Sequence, residues 1–477
     1  MATFTINSDA LITTPITFTF PVANTSNSAR FTLGVNGVTQ YDIDWGDGTV
    51  DTITNTFGVH SHTYASPYTG DISVTFLGTL DDIVSFGDGT NNSSSNAEFN
   101  FPLSFLGQLN NLETFNAYSS PMTGDVGDLP PNLTRLLVQG STNTITGDLT
   151  MVNPLIEQIF IYGNNTVSGD LTGQFSALTL LQVLGNNTLT GTLDAMTSLG
   201  QLFITGSNTI GGLIQNVSNT ITDFRLQGNN VIGGDYSLAN FPNLLIFIVD
   251  GINTMTGDIS LPSVTMASNN FQVRGNNTFS GILENIPIPS SSIIVTGANT
   301  ITGNLNNIND TNGNLNLASI SIIGNNTVVG NFTGLQKVTN VDLGVNLGMQ
   351  GDIGLMDLTT LAPQIGSPQI GVVLPNLTAS VNGPLTYTTK DWSVTDPTQN
   401  IFFRLNLNAA SNPGDVLTPT ELDQLIIDLD NSSFKRELSP GSPTTSRLQL
   451  SGGFSRTTAS DAAFNQLVAD GMFMSIS

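Results

Sequence analysis

The 477-residue sequence has no cysteine, which excludes a disulfide framework and a thiolate metal site. Basic residues are also scarce, with 11 Lys and Arg against 36 Asp and Glu, and the formal net charge is -25. Nucleic-acid binders cluster cations to neutralise phosphates, so we expect no nucleic-acid partner. No run of about 18 apolar residues occurs, and we therefore expect no membrane insertion.

Residues 1–7 lack the basic and apolar regions of a secretory signal. This start favours a protein that reaches an exterior location by another route, such as lysis of the producing cell. Charged residues make up only 10% of the chain, yet the hydrophobic fraction of 39% is typical of a folded protein. At this length we expect about two to four units or an elongated repeat array.

Residues 1–85 alternate apolar and polar side chains, which predicts strands and no helix. Within this region two segments resemble the PKD-type immunoglobulin-like domain, namely Asp44-Trp45-Gly46-Asp47-Gly48 and His62-Thr63-Tyr64. The resemblance implies a small immunoglobulin-like β-sandwich that serves as a spacer or a binding module.

Three carboxylates of this region, Asp44, Asp47 and Asp51, have two interpretations. They could bind Ca²⁺, which takes several oxygen ligands, and no other cofactor is expected for the chain. Alternatively, the Asp-Gly pairs supply the positive φ that a tight hairpin turn requires, and we favour this interpretation. His60 and His62 could also bind a metal, but the resemblance implies that His62 packs inside the domain.

Residues 86–128 are rich in Asn, Ser and Gly and predict a loop and an entry segment that caps a repeat array over residues 129–355. In this array a glycine recurs with a period near 22 residues. Apolar residues stand four and two positions before it, as Leu181 and Val183 do before Gly185, and predict one short strand per repeat. Stacking about nine or ten such coils would form a continuous core without helices.

An asparagine stands two positions after most of the leading glycines, and a second glycine follows it. An amide both donates and accepts, so stacked copies would satisfy the backbone groups freed where each coil turns. The repeat resembles the leucine-rich repeat of bacterial surface and phage virion proteins through Leu181, Val183, Asn187, Leu189 and Gly191. One extra residue separates the strand from the asparagine, so a leucine-rich repeat and another right-handed β-solenoid both fit the sequence.

The resemblance implies that partners bind the exposed strand face, where the residues between the apolar positions point outward. The repeated residues form the coil structure, so ligand binding is expected at the outward positions that vary between coils. These candidate ligand-binding residues are Phe160, Gln182, Phe203, Arg225, Ile248, Gln272, Ile294 and Ser321.

Three other functions are less favoured for the repeats. Thr-x-Thr segments such as Thr188-Leu189-Thr190 occur on ice-binding solenoids, but other coils interrupt the row, and Thr also suits strands. A polysaccharide-cleaving enzyme needs two neighbouring carboxylates, whereas the only two glutamates of the repeats, Glu157 and Glu284, are several coils apart. Acidic residues follow the second glycine in several coils, at Asp148, Asp170, Asp235, Asp258 and Asp352. They could bind a column of cations, but we favour a solvent-exposed acidic edge.

Residues 356–477 contain the first helix signals of the chain. Thr418-Pro419-Thr420-Glu421 is a capping box with proline at the first helical position. A second helix start is predicted at Thr458-Ala459-Ser460-Asp461, with a glycine cap at Gly471, and strands are predicted at 448–453 and 472–476. The tail resembles the terminal unit of the same repeat proteins, which implies an α+β cap on the solenoid.

Together these features predict a mainly β, non-enzymatic surface protein of a phage particle, such as a head fibre, tail fibre or spike. It would contact other virion proteins and a glycan or protein of the host surface, and a homo-oligomer is the default for fibres and spikes. A bacterial cell-surface adhesin is the first alternative, and a tailspike-like polysaccharide-degrading enzyme is the second.

Overall fold

The computed structural model describes residues 15–55, 57–89, 96–260, 270–286, 292–304, 319–324, 327–331, 340–342, 348–352, 371–393, 400–407, 417–434, 447–451 and 453–477. The chain is mainly β, as predicted, with 50% of its residues in strands. It divides into two compact units. The first comprises Met1–Gly212 and Asn216–Asn230, and the second comprises Leu213–Gln215 and Val231–Ser477.

The first unit begins with a sandwich of two antiparallel sheets. Sheet 1 has the strand order β1-β6-β3-β4, and sheet 2 contains β5-β2-β7. Side chains alternate between the two faces of a strand, so Phe20 of sheet 1 faces Phe31 and Phe86 of sheet 2. The ring centroid of Phe20 lies 5.2 Å from that of Phe31 and 4.8 Å from that of Phe86. The strands are β1 (Pro15–Ala23), β2 (Ser28–Val35), β3 (Tyr41–Asp44), β4 (Val50–Ile53), β5 (Phe57–Thr63), β6 (Thr69–Leu77) and β7 (Ile83–Gly87).

Solenoid coils follow, and each coil contributes one strand segment to sheet 2 and one to a further parallel sheet, sheet 3. In β12 and β13 a single strand runs through both sheets and shifts register at the corner between them. Short 3₁₀ turns such as Leu149–Met151 then begin the return path. The strands are β8 (Thr114–Ala117), β9 (Thr123–Asp125), β10 (Arg135–Gln139), β11 (Thr144–Asp148), β12 (Gln158–Asp170), β13 (Leu180–Thr192), β14 (Gln201–Gly206), β15 (Thr209–Leu213) and β16 (Asp223–Asp235).

Buried asparagines connect each coil to its neighbours. The side-chain oxygen of Asn187 accepts a hydrogen bond from the backbone N–H of Val167, one coil earlier, at 3.0 Å. Its side-chain nitrogen donates to the carbonyl oxygen of Thr205, one coil later, at 3.1 Å. The predicted amide ladder is therefore confirmed, and its fully buried members include Asn143, Asn165, Asn187, Asn208, Asn253 and Asn277.

Strand β7 joins the sandwich directly to the solenoid. It pairs in parallel with β8, placing Phe86 beside Phe115, and β8 pairs in turn with β10. The boundary predicted at residue 85 falls inside β7, and solenoid pairing starts at Thr114, before the predicted residue 129. The coil that contains β8 and β9 lacks the repeated glycine and asparagine, so the repeat period in the sequence did not reveal it.

The second unit continues the same coil pattern and ends in an α+β region. Strands β25, β26 and β27 are parallel neighbours, with α1 between the first two in sequence and α2 between the last two. The elements are β17 (Ile246–Asp258), β18 (Asn270–Ile282), β19 (Ser292–Asn304), β20 (Ser319–Gly324), β21 (Thr327–Asn331), β22 (Asn340–Asp342), β23 (Gly348–Asp352), β24 (Gly371–Thr386), β25 (Asn400–Leu407), α1 (Pro419–Asn431), β26 (Arg447–Ser451), α2 (Asp461–Ala469) and β27 (Phe473–Ile476).

Both predicted C-terminal helices are confirmed, including the capping box of Thr418 and Glu421 and the positive φ of Gly471, 93°. In the part of the chain that the structure describes, no helix has the length and apolar character needed to span a bilayer. Residues 1–7, the Asn- and Ser-rich loop at 91–95 and the boundary at residue 355 lie outside the described residues.

Candidate functional site

The outward face of sheet 2 brings four of the predicted ligand-binding residues into one row. The register places them on adjacent strands and adds Leu137 at one end. Leu137 is buried, and the other four side chains of the row are half-buried, whereas the residues on either side of each one in its strand are fully buried and face the core. The row of the first unit is Leu137, Phe160, Gln182, Phe203 and Arg225.

The second unit holds the other predicted residues in a row of its own. Ile248, Gln272, Ile294 and Ser321 are in register across β17 to β20. The first three side chains are half-buried, and the side chain of Ser321 lies outside the described residues.

Arg225 is held in place on the first-unit row. Its Nε and Nη2 atoms donate to the two carboxylate oxygens of Asp223 at 2.8 and 2.7 Å. Its guanidinium carbon also lies 5.0 Å from the ring centroid of Phe203. A paired, stacked guanidinium loses little conformational freedom on binding, so this part of the face is rigid before a ligand arrives.

Sequence reasoning missed the columns on either side of the row. Tyr162 stands two positions after Phe160 and is 40% exposed. In the other column Gln201 is exposed, and its side-chain oxygen accepts a hydrogen bond from Nε2 of Gln182 at 3.3 Å. The signal was available, because residues two positions apart on a strand point to the same side.

Asp44, Asp47 and Asp51 each accept a hydrogen bond within the hairpin of β3 and β4. Asp44 accepts from the N–H of Gly46 at 2.9 Å, and Asp51 accepts from the indole nitrogen of Trp45 at 2.8 Å. Asp47 accepts from the N–H of Thr49 at 3.0 Å. Among the described residues, no group of three or more acidic or histidine side chains is placed to hold a metal ion. Asp44 and Asp47 therefore stabilise the tight turn, and Asp51 bonds from β4 to the side chain of Trp45.

The two histidines of β5 also have structural partners. His62 stacks on Trp45 at 5.1 Å between ring centroids, and its Nε2 atom lies 2.8 Å from Oδ2 of Asp47. The hydrogen bond with His62 lowers the pKa of Asp47 to about 2. His60 is buried and lies 2.8 Å from the hydroxyl of Tyr41. The packing role that the resemblance implied for His62 agrees with this geometry.

Four of the acidic residues that follow the second glycine, Asp148, Asp170, Asp235 and Asp258, cap turns, and the side chain of Asp352 lies outside the described residues. Asp170 accepts from the N–H of Thr172 at 2.9 Å, and Asp148 accepts from that of Thr150 at the same distance. Hydrogen bonds from Thr172 lower the pKa of Asp170. These carboxylates thus cap the start of the return path in the coils that carry them, a role that the interpretation as a solvent-exposed acidic edge did not include.

The Thr-x-Thr segments also tie coils together. The Oγ1 atom of Thr190 lies 3.4 Å from the carbonyl oxygen of Gly169, one coil earlier, and Thr146 makes the equivalent contact with Gly124 at 3.3 Å. Inter-coil bonding therefore gives the second threonine of these segments a structural role.

A separate cleft of about 630 Å³ lies in the sandwich and is lined by Asn36, Tyr41, Asp42 and Asp82 among others. Asp42 accepts from the hydroxyl of Thr52 at 2.6 Å, and Asp82 accepts from the N–H of Thr79 at 2.7 Å. Because both carboxylates serve a strand or a turn, the cleft is a weaker candidate than the outward face of sheet 2.

No protein-family model matches the chain, and no curated protein matches it. Similar solved structures include the Arabidopsis receptor kinase HAESA in complex with the peptide hormone IDA and the co-receptor SERK1. That likeness has 17% identity and a TM-score of 0.41, and it covers 66% of this chain and 55% of that one. This chain therefore spans about half the length of the HAESA chain that it matches.

Two further similar structures have comparable values. The plant peptide hormone receptor RGFR1 in complex with RGF2 has 17% identity and a TM-score of 0.39, covering 78% of this chain and 73% of that one. A leucine-rich-repeat protein of Leptospira interrogans has 13% identity and a TM-score of 0.35, covering 83% and 90%. The strand registers and the asparagine ladder carry the structural conclusion, which is a leucine-rich-repeat-like β-solenoid fold.

Proposed function

We propose that the chain is a non-enzymatic binding protein that presents the outward strand face of its coils to a molecule on a host cell surface. One observation carries this proposal. The repeated Asn and Gly residues form the hydrogen bonds and turns of the coils. The side chains that vary between coils, Phe160, Gln182, Phe203 and Arg225, form one half-buried row in register. Aromatic and Arg side chains are enriched where proteins bind partners.

The charges on this face favour binding over hydrolysis. In the outward columns of β10, β12, β13, β14 and the part of β16 in the first unit, the single carboxylate is Asp223, which is paired with Arg225. Glycoside hydrolysis uses two carboxyl groups about 5–9.5 Å apart, and these columns do not offer such a pair.

The proposed setting is the surface of a phage particle, as a head fibre, tail fibre or spike. The support is the likeness of the repeats and of the C-terminal tail to those of phage virion and bacterial surface proteins. The sandwich, with its PKD-type turn, would anchor or space the solenoid through contacts with other virion proteins, and the chain would assemble as a homo-oligomer. A bacterial cell-surface adhesin would use the same face.

The binding proposal is tested with the labelled full chain on a panel of bacterial strains. The variant Phe160→Gln/Phe203→Gln should bind at least about tenfold less well, because truncating a few central aromatic contacts removes most interface energy. The control is Met151→Gln/Leu155→Gln, which changes side chains that are 70% and 64% exposed outside the row. Absence of binding to every strain, or equal binding by both variants, would refute the proposal.

The setting is tested separately by probing density-purified particles and bacterial envelopes with an antibody to the chain. Signal on intact particles supports the virion location. Signal confined to bacterial envelopes contradicts it and supports the adhesin.

A further inference from the structure

The outward face of the first unit is almost free of charge on a chain with a net charge of -25. The outward columns of its coil strands β10, β12, β13, β14 and β16 contain no Lys and no Glu, and Asp223 is paired with Arg225. Arg135, at one end of the face, is the remaining charged residue. Amide and aromatic side chains dominate the rest, including Gln158, Gln182, Gln201, Phe160, Tyr162 and Phe203.

These polar groups offer both donors and acceptors. Gln182 uses Nε2 to reach Oε1 of Gln201, so Oε1 of Gln182 and Nε2 of Gln201 have no hydrogen-bond partner among the described residues. Nη1 of Arg225 is likewise not engaged by Asp223, which takes Nε and Nη2. A ligand rich in hydroxyl groups satisfies such a mixture, because each hydroxyl both donates and accepts.

Apolar contact is available beside these groups. Phe160 has no aromatic neighbour among the described residues, and Tyr162, on the same side of β12, is 40% exposed. The face of an aromatic ring carries partial negative charge. It therefore attracts the C–H bonds on the apolar side of a sugar ring.

The repeat distance along the face distinguishes a sugar chain from a peptide. Neighbouring strands are about 4.8 Å apart, whereas an extended peptide advances only about 3.3 Å per residue. A peptide lying across the strands would therefore fall out of step with the coils. A pyranose linked through opposite ends of its ring advances by close to one strand spacing, so each sugar meets an equivalent position on the next coil.

We infer that the face formed by Phe160, Tyr162, Gln182, Gln201 and Arg225 takes an uncharged polysaccharide, laid across the strands with one sugar per coil. This inference rests on the proposed binding function and names its ligand class. Phe160 and Tyr162 would contact the apolar faces of sugars, and Gln182, Gln201 and Arg225 would bond to their hydroxyls.

The test uses the labelled full chain and a strain that it binds, treated with periodate to oxidise sugar diols or with protease to remove surface proteins. Binding should fall at least tenfold after periodate and remain after protease. Neutral oligosaccharides released from the same cells should compete more strongly as their length grows, until they span the four strands β12, β13, β14 and β16 that carry these residues. The acidic fraction should compete less well.

Matched variants connect the ligand to the face. Gln182→Leu should lose at least tenfold in oligosaccharide affinity, while Gln174→Leu, a half-buried glutamine outside the strand face, should match the unmodified chain. Circular dichroism and the unfolding midpoint verify that each variant is folded. An unchanged affinity of folded Gln182→Leu would overturn the inference.

The outcomes also distinguish a failure of the polysaccharide inference from a failure of the proposed binding function. If the face variants lose cell binding but that binding is protease-sensitive and periodate-resistant, the partner is a protein, and only the polysaccharide inference fails. Competition by the acidic fraction alone also overturns it. If the Phe160→Gln/Phe203→Gln variant binds cells normally, the binding face itself is wrong.

Discussion

Asp170 and Gly191 lie in consecutive coils, and Oδ1 of Asp170 sits only 2.1 Å from the position that a β-carbon on Gly191 would occupy. Gly191 also has a φ of 90°, which other L-residues rarely adopt. The pairing recurs between Asp235 and Gly257 at 2.1 Å. The turn-capping aspartate of one coil thus requires a glycine in the next.

Substituting Gly191→Ala should destabilise the solenoid by more than about 2 kcal/mol, because positive φ alone costs a non-glycine residue roughly 1–2 kcal/mol and the new methyl group displaces Asp170. Urea unfolding followed by circular dichroism measures the change. Gly200→Ala is the control, since its nearest non-neighbouring atom would be 3.4 Å away. Equal midpoints for the two variants would contradict the prediction.

Substituting Asn187→Ala should lower the free energy of unfolding by at least about 2 kcal/mol. The change leaves the N–H of Val167 and the carbonyl of Thr205 without partners, and each buried unsatisfied group costs about 1–3 kcal/mol. The adjacent Asn186 is exposed, so Asn186→Ala should stay within about 0.5 kcal/mol of the unmodified chain. If the Asn187 variant is as mild as the Asn186 variant, the ladder does not stabilise the coils.

Asp88 should make stability depend on pH. It is fully buried and accepts hydrogen bonds from the backbone N–H groups of Tyr118, Ser119 and Ser120 at 2.8, 2.7 and 3.1 Å. Burial raises its pKa to about 6 even though these donors lower it.

Because the pKa of Asp88 is higher in the folded chain than in the unfolded one, the folded state holds the proton more tightly. Its contribution to the free energy of unfolding should therefore fall as pH rises from about 4 to 6. Denaturation at several pH values, compared between the unmodified chain and Asp88→Asn, isolates this slope. Identical slopes in the two proteins would contradict the assignment.

Substituting Thr418→Ala should destabilise helix α1 by about 0.5–2 kcal/mol, since the Thr418 hydroxyl accepts from the N–H of Glu421 at 3.3 Å. Thr418→Ser keeps the hydroxyl and should lose much less. Thermal unfolding followed at a helix-sensitive wavelength compares the two. Equal loss in both variants would show that the methyl group, rather than the cap, matters.

The coil pattern and both helix starts were predictable because their causes are local. Gly191 is a glycine because of its own φ, and Thr418 and Glu421 are only three residues apart. The candidate row was predictable for a similar reason, since strand alternation fixes which residues point outward. The contact of Gln182 with Gln201 was not, because it depends on which outward side chains are long enough to meet between strands.

The sequence by itself determined the coil, because glycine allows the positive φ at each turn and asparagine, at a fixed repeat, hydrogen-bonds to the neighbouring coils. Only the tertiary structure decided that β7 of the sandwich pairs with β8 of the solenoid and that Asp88 is buried beside Ser120 at this junction. Strand pairing uses backbone groups that nearly every residue carries, so the local side-chain pattern does not show which of two distant strands will pair. The uses of Asp44, Asp47 and Asp51 were open for the same reason, because a carboxylate in sequence does not show which donor will reach it.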